Sequence, residues 1–150
     1  MNPTKMVEIL IVEDTSEDLE LALRALGKAE LTSHIQVARD GEEALNFIFC
    51  EGPFAERKME DGPKVILLDL KLPKIDGLEV LKRIKSDPRT KSIPVVVLTS
   101  SGEPNDVTES YGLGANSYIV KPVNSGQFSE TVQKLGMYWL LLNHPLRPEV

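Results

Sequence analysis

A chain of 150 residues, 41% hydrophobic and 27% charged, has the size and balance of one soluble globular domain, not of a disordered segment. Its 23 acidic residues outnumber 17 basic ones for a formal charge of -6, which argues against a nucleic-acid backbone as partner. No apolar run nears the roughly 20 residues that span a bilayer; the polar start Met1–Met6 is no signal peptide and the single Cys50 can form no internal disulfide, so a cytoplasmic domain is expected.

Val7 to Val12 opens a series of short branched-aliphatic runs of the kind that form buried parallel strands. Leu19, Leu23 and Leu26, widened by Ala22 and Ala29, predict the first helix, with Thr15 and Asp18 as its cap. Ile35 to Ala38 is a weaker strand, and Asp40 and Glu43 start a second helix through Ala44, Leu45 and Ile48. The stretch 51–64, with Gly-Pro at both ends, reads as a long loop inside the domain. Val65 to Leu68 is the central strand; Leu78, Leu81 and Ile84 predict a third helix that Asp87-Pro88 stops. Val95 to Leu98 is the fourth strand, Pro104 to Tyr111 is weakly helical, and Ser117 to Val120 is the fifth strand. The last helix is expected over 125–142, carrying Phe128, Val132, Leu135 and Trp139.

Strand and helix alternating five times predict an α/β domain, a doubly wound parallel sheet with helices on both faces. In such sheets the ligand crevice lies beyond the carboxyl ends of the strands. There stand Glu13 and Asp14 after the first strand, Asp69 after the third, Thr99 to Ser101 after the fourth and Lys121-Pro122 after the fifth. Any one of these alone is ordinarily a solvated loop residue or a helix cap; Asp14 in particular could merely cap the first helix. Together they are not idle. Two carboxylates about 4 Å apart repel by about 4 kcal/mol at an effective dielectric of 20, so the group must protonate, pair with Lys121 or bind a cation. An all-oxygen set suits Mg²⁺, and a carboxylate beside a divalent metal and a lysine is equipped to form an aspartyl phosphate.

Other chemistries fit poorly. His34 and His144 have no companions at zinc-ligand spacing. Thr99-Ser100-Ser101-Gly102 lacks the nucleophile-elbow pattern, and no Walker-type or dinucleotide fingerprint is present. Cys50 reads as a residue packed at a helix end, with nothing electropositive evident near it.

The residues that collect at the strand ends make the chain resemble the receiver domain of two-component response regulators. The matching pieces are Ile9-Leu-Ile-Val-Glu13-Asp14, Val65-Ile-Leu-Leu-Asp69-Leu-Lys-Leu-Pro73-Lys-Ile-Asp76-Gly77, Val95-Val-Val-Leu-Thr99-Ser100 and Gly114-Ala-Asn-Ser-Tyr118-Ile-Val-Lys121-Pro122. The resemblance covers about residues 6 to 135 and implies a flavodoxin-like five-stranded sheet in the order 2-1-3-4-5. It implies Asp69 as phosphoacceptor, and Glu13, Asp14, Asp69 and the Lys71 backbone carbonyl as ligands of Mg²⁺ (or Mn²⁺). Thr99 becomes the switch hydroxyl, Lys121 the partner of the phosphoryl oxygens and Tyr118 the aromatic that follows Thr99. A cis Lys121-Pro122 bond is also implied.

The tail Leu135-Gly-Met-Tyr-Trp-Leu-Leu-Leu-Asn-His-Pro145 and the 51–64 loop further resemble the stand-alone regulators of bacterial, chiefly cyanobacterial, phytochrome histidine kinases. That likeness implies a sensor histidine kinase, a phytochrome, as partner. It also implies a homodimer through the fourth helix, fifth strand, fifth helix and a C-terminal extension at 136–150, with no effector domain. Tyr138, Trp139, Leu140 and Leu142 are the interface candidates. Such a regulator is a phosphoacceptor, not an enzyme beyond intrinsic phosphotransfer and slow loss of its phosphate. Two alternatives stand beside it: a Mg²⁺-dependent phosphohydrolase, against which Lys71 occupies the position of the usual second Asp, and a phosphorylation-independent dimeric binding module.

Overall fold

A computed structural model describes residues 7–31 and 34–146; Met1–Met6 and the last four residues of the extension lie outside the described residues. The strands are β1 (Ile9–Val12), β2 (Ile35–Ala38), β3 (Val65–Leu68), β4 (Val95–Thr99) and β5 (Ser117–Val120). The helices are α1 (Ser16–Lys28), α2 (Gly41–Ile48), α3 (Gly77–Ser86), α4 (Pro104–Gly112) and α5 (Ser125–Met137). All strand pairs are parallel, in the order β2-β1-β3-β4-β5. This is the doubly wound sheet that the alternation and the resemblance led us to expect.

Period-two alternation divides the core. Leu10, Val12, Ile66, Leu68, Val95 and Val97 face α2 and α3, where Phe47, Val80, Leu81 and Ile84 cover them. Ile9, Ile11, Val65, Leu67, Val96 and Leu98 face α1 and α5, under Ala25, Leu26, Phe128 and Val132. The three central strands are buried throughout, whereas β2 and β5 are half-buried, as sheet edges must be. α4 is the least anchored helix, with Ser110 as its one buried residue.

Five local expectations change. Thr15 takes the N-cap position of α1 without a side-chain cap bond; its own N–H instead donates to Glu13 Oε2 at 3.1 Å. The last helix ends at Met137 and continues as a π-helical turn over Tyr138–Leu142. The 51–64 loop contains two 3₁₀ turns, Gly52–Phe54 and Met59–Asp61, gathered around Arg57. The Arg57 guanidinium lies 3.6 Å over the Phe47 ring and donates to the Phe47 and Asp61 carbonyls and, at 3.5 Å, to Cys50 Sγ. Cys50 therefore does have an electropositive neighbour, brought from seven residues away by the folding of the loop. Finally, no described peptide bond is cis, so Lys121-Pro122 is trans. Trans is favoured by about 0.5–1 kcal/mol in X-Pro bonds, and Lys121 reaches its partners from that isomer.

Candidate functional site

The carboxyl ends of β1, β3, β4 and β5 converge because the strands are parallel and in register. The Glu13 N–H donates to the Ala38 carbonyl at 3.0 Å and the Asp69 N–H to the Val12 carbonyl at 3.1 Å. The Lys121 N–H donates to the Thr99 carbonyl at 2.7 Å. Ladder bonds thus continue one residue past each strand and fix where the three side chains start.

From that start, Lys121 Nζ donates to Glu13 Oε1 at 2.7 Å, Asp69 Oδ2 at 2.8 Å and Asp18 Oδ2 at 2.8 Å. An ammonium has three N–H donors, and all three are used. The Lys121, Glu13 and Asp69 side chains are almost fully buried, whereas Asp18 remains 32% exposed at the solvent side. The other Asp69 oxygen, Oδ1, accepts the Lys71 N–H at 3.1 Å, which brings the Lys71 backbone to the site.

The loop that carries Lys71 is held down by close backbone approach. A Cβ on Gly77 would lie 2.4 Å from the Asp69 carbonyl oxygen, and the Gly77 N–H donates to the Leu70 carbonyl at 2.8 Å. Only glycine fits where α3 begins against the backbone of Asp69. Asp76 then caps α3 by accepting the Glu79 N–H at 3.0 Å.

Charge and burial oppose each other here. Glu13 is raised to about 7, chiefly by burial; the Lys121 hydrogen bond works against that rise and the Asp69 charge adds to it. Burial also works against the charged form of Lys121, but its bonds with Asp18, Asp69 and Glu13 outweigh that effect and hold it above the ordinary lysine range. The ammonium is therefore a firm cation serving three carboxyl groups.

A second network runs from Thr99 toward α4. Thr99 is fully buried at the end of β4, and its Oγ1 accepts the Ser101 N–H at 3.5 Å. Tyr118 Oη donates to the Ser101 carbonyl at 2.7 Å, and Ser101 Oγ donates to the Asp106 carboxylate in the first turn of α4. Burial raises the Tyr118 phenol above its ordinary value, consistent with a hydroxyl that serves as donor.

Of the residues singled out from the sequence, Glu13, Asp69 and Lys121 meet directly. Thr99 and Tyr118 meet through Ser101. Asp14 is half-buried beside them, its carbonyl accepting from Arg39 Nη2 at 3.1 Å, but its carboxylate takes no bond from Lys121. Of the tail candidates, Trp139 and Leu140 pack against the core under α1 and α5, whereas Tyr138 and Leu142 are 49% and 74% exposed. Asp18 and Asp106 were not among the site candidates. In the sequence Asp18 reads as half of a helix cap, four residues beyond Asp14, and Asp106 shows only its place in the first turn of a weak helix.

The donor set fits a hard divalent cation. The side chains gathered at the ends of the first and third strands, Glu13, Asp14 and Asp69, offer carboxylate oxygens, which are hard donors. Among the described residues no three His, Cys, Asp or Glu side chains form a preformed metal cage. Mg²⁺ needs none, since it keeps several waters and takes one or two carboxylates.

The sequence model for the response regulator receiver domain matches residues 9–133. The chain belongs to the response regulator receiver family. Its similarity extends to whole proteins: it is 39% identical to the probable methanogenesis regulatory protein FilR2 of Methanothrix harundinacea, over 93% of this chain and 88% of that one. It is 41% identical to response regulator Rcp1 of Synechocystis, over 93% and 91% of the two chains. Among solved structures, the phosphorylated cyanobacterial phytochrome response regulator RcpA is 40% identical with a TM-score of 0.86, covering 93% of this chain and 97% of that one. The Mn²⁺-bound form of Rcp1 is 38% identical, also at 0.86, covering 93% and 99%. The receiver family works in two-component phosphorelays, and this chain is homologous to phytochrome response regulators within it. No described helix is long and apolar enough to cross a membrane.

Proposed function

We propose that this receiver accepts a phosphoryl group on Asp69 from a phytochrome-type histidine kinase in the cytoplasm and passes the event on as a change of surface. The observation that carries the reading is the Lys121 ammonium bonded to a buried Asp69 at the end of the central strand. A carboxylate oxygen of Asp69 attacks phosphorus, the P–N bond of the phosphohistidine breaks, and its electron pair leaves with the imidazole. Lys121 and the Lys71 N–H hold Asp69 in place for that attack. Glu13, Asp14, Asp69 and the Lys71 carbonyl would hold Mg²⁺, which would supply positive charge to offset that of the transferring group.

The added charge, about -1.5 to -2 by analogy with other phosphorylated side chains, draws Thr99 and Lys121 toward it. Ser101 then transmits the motion of Thr99 to Tyr118 and Asp106. The phytochrome partner is supported by the likeness to RcpA, a cyanobacterial phytochrome response regulator. The receiving surface is the α4, β5 and α5 face with the tail, where Tyr111, Val120, Tyr138 and Leu142 are exposed and a second copy of the chain would cover them. The phosphate leaves slowly by hydrolysis, and Lys71 in place of a second aspartate speaks against an efficient phosphohydrolase.

Incubation with acetyl phosphate and Mg²⁺ is expected to give one labile adduct per chain by mass spectrometry, lost in Asp69→Asn. Equal labelling of Asp69→Asn, or many turnovers of the donor per chain, would overturn the assignment. Light scattering on the same samples reads the oligomeric state with and without the adduct.

A further inference from the structure

Asp18 has no place in the roles assigned above, yet it takes a full third of the hydrogen bonding of Lys121. It stands in the first turn of α1, its Oδ2 is 2.8 Å from Lys121 Nζ, and it is the most exposed of the three carboxylates that the ammonium serves. We infer that Asp18 is a positioning residue that competes with the phosphoryl group for Lys121 and thereby shortens the life of the aspartyl phosphate. The inference rests on Asp69 being the phosphoacceptor.

The count of donors makes the argument. Lys121 has three N–H groups, bonded to Glu13, Asp18 and Asp69. Phosphorylation of Asp69 puts several anionic oxygens where Asp69 held one N–H, and they can use more of the ammonium than that single donor. The bond to Asp69 is replaced by one to the phosphoryl oxygen, but the other two carboxylates still hold the head group back. Glu13 sits deep in the crevice beside Asp69. Asp18 lines the same small cavity as Glu13 and Asp69 from its more exposed side, and it holds one N–H that the phosphoryl oxygens would otherwise take. Its charge also adds to the negative field that an anionic donor meets on approach.

Hydrolysis of the adduct follows the same logic. Water attacks phosphorus, the bond between phosphorus and the Asp69 oxygen breaks with its electron pair staying on the carboxylate, and the water proton passes to solvent as inorganic phosphate leaves. A lysine that grips the phosphoryl oxygens lowers the energy of the adduct. A lysine shared with Asp18 grips less.

Asp18→Asn keeps an acceptor and removes the charge; Asp18→Ala removes both; Asp18→Glu keeps both. With Mg²⁺ present, affinity for the phosphoryl analogue trifluoroberyllate is read by ¹⁹F NMR, and adduct lifetime after acetyl phosphate is read by mass spectrometry. Affinity and lifetime are expected to rise about three- to tenfold in Asp18→Asn, the range of one exchanged hydrogen bond, further in Asp18→Ala, and to return toward the parent in Asp18→Glu. A Tm measured beside them tells a merely structural role apart, because loss of a structural bond lowers Tm and weakens the analogue together. Unchanged or weakened analogue binding in both Asp18→Asn and Asp18→Ala would overturn the inference. If the parent forms no adduct, or Asp69→Asn forms it equally, the fault lies in the phosphoacceptor reading and not in Asp18.

Discussion

Two lysines in this domain are both partly withdrawn from water and have opposite electrostatic fates. Lys121 Nζ donates to three carboxylates, those of Glu13, Asp18 and Asp69. Lys85 Nζ, at the end of α3, also makes three hydrogen bonds: to the Lys91 carbonyl at 3.0 Å, the Ile93 carbonyl at 2.7 Å and Asn116 Oδ1 at 2.9 Å. The geometry is alike, yet burial lowers Lys85 to about 8, while the anions hold Lys121 above the ordinary lysine range. Neutral dipoles satisfy the N–H groups but do not offset the cost of desolvating the charge; carboxylates do both. Lys85 is a structural clip that joins α3, the strand-entry loop before β4 and Asn116. Lys121 is a counter-ion whose removal exposes three anions to each other.

The comparison is broken most severely by Lys121→Met. The flexible thioether keeps volume but leaves Glu13, Asp18 and Asp69 without their cation. Removing one partner of a buried ion pair typically costs 3–5 kcal/mol, and with Asp18 partly in solvent we expect about 3 kcal/mol at pH 8. Urea unfolding is expected to show the deficit shrinking at pH 5. Glu13 in the folded protein is already raised to about 7, so between its ordinary 4.5 and 7 the native state holds more protons than the unfolded chain. Its contribution is therefore favourable at low pH and fades as pH rises through that window. Losing Lys121 enlarges the fade. Millimolar Mg²⁺ should restore more stability to the variant than to the parent, because it supplies the missing positive charge. A deficit that is flat with pH and indifferent to Mg²⁺ would reduce Lys121 to a packing residue.

Lys85→Met gives the smaller effect, and its pH dependence falls in a more alkaline window. It leaves the carbonyls of Lys91 and Ile93 without their donor, for an expected loss of about 1–2 kcal/mol at pH 7. In the parent, Lys85 is lowered to about 8 against an ordinary 10.5, so between those values the unfolded chain binds more protons. Stability from this group therefore rises with pH through that window. The parent-minus-variant difference in urea midpoint should grow between pH 8 and pH 10. No such growth would mean that the Lys85 ammonium is as well solvated as any surface lysine.

The two lysines also mark what could be read from residues in a row. β1, β3 and β4 announced themselves because a strand covered on both faces is apolar without a break, and the same logic put Asp69 and Lys121 at one edge of the sheet. Asp18 escaped because a carboxylate in the first turn of a helix has a sufficient local use as a cap, and only the crossing of α1 over the sheet edge brings it to Lys121. Lys85 escaped for a similar reason: its acceptors are main-chain carbonyls six and eight residues on and an asparagine thirty-one residues away, none of which a side-chain pattern displays. Arg57 organises a loop that has no hydrophobic period, so nothing in the 51–64 stretch pointed to its place over Phe47. At the tail, the run Tyr138–Leu142 continues the apolar character of α5 but not its hydrogen bonding, since the helix passes into a π-helical turn that hides Trp139 and Leu140 and leaves Tyr138 and Leu142 outside.

Ser110 sharpens the comparison from the other side, as a buried polar group with no partner. Its Oγ is fully buried in α4 and makes no hydrogen bond among the described residues. If desolvation is what lowers Lys85 and what the anions of Lys121 overcome, a hydroxyl with nothing to overcome it must carry its penalty in full. Leaving a buried donor unsatisfied costs about 1–3 kcal/mol, offset here by the volume lost when the oxygen goes, so Ser110→Ala is expected to stabilise the domain by up to about 1 kcal/mol. Thermal unfolding of the two proteins side by side checks this, and the gain should not vary between pH 5 and pH 10, since no titratable group is involved. α4 would also be held more firmly by the alanine, for Ser110 is its one buried residue and alanine the better helix former. A destabilised Ser110→Ala would mean that the hydroxyl is bonded in solution, by water entering beneath α4, and would make that helix the wettest and most easily moved element of the fold.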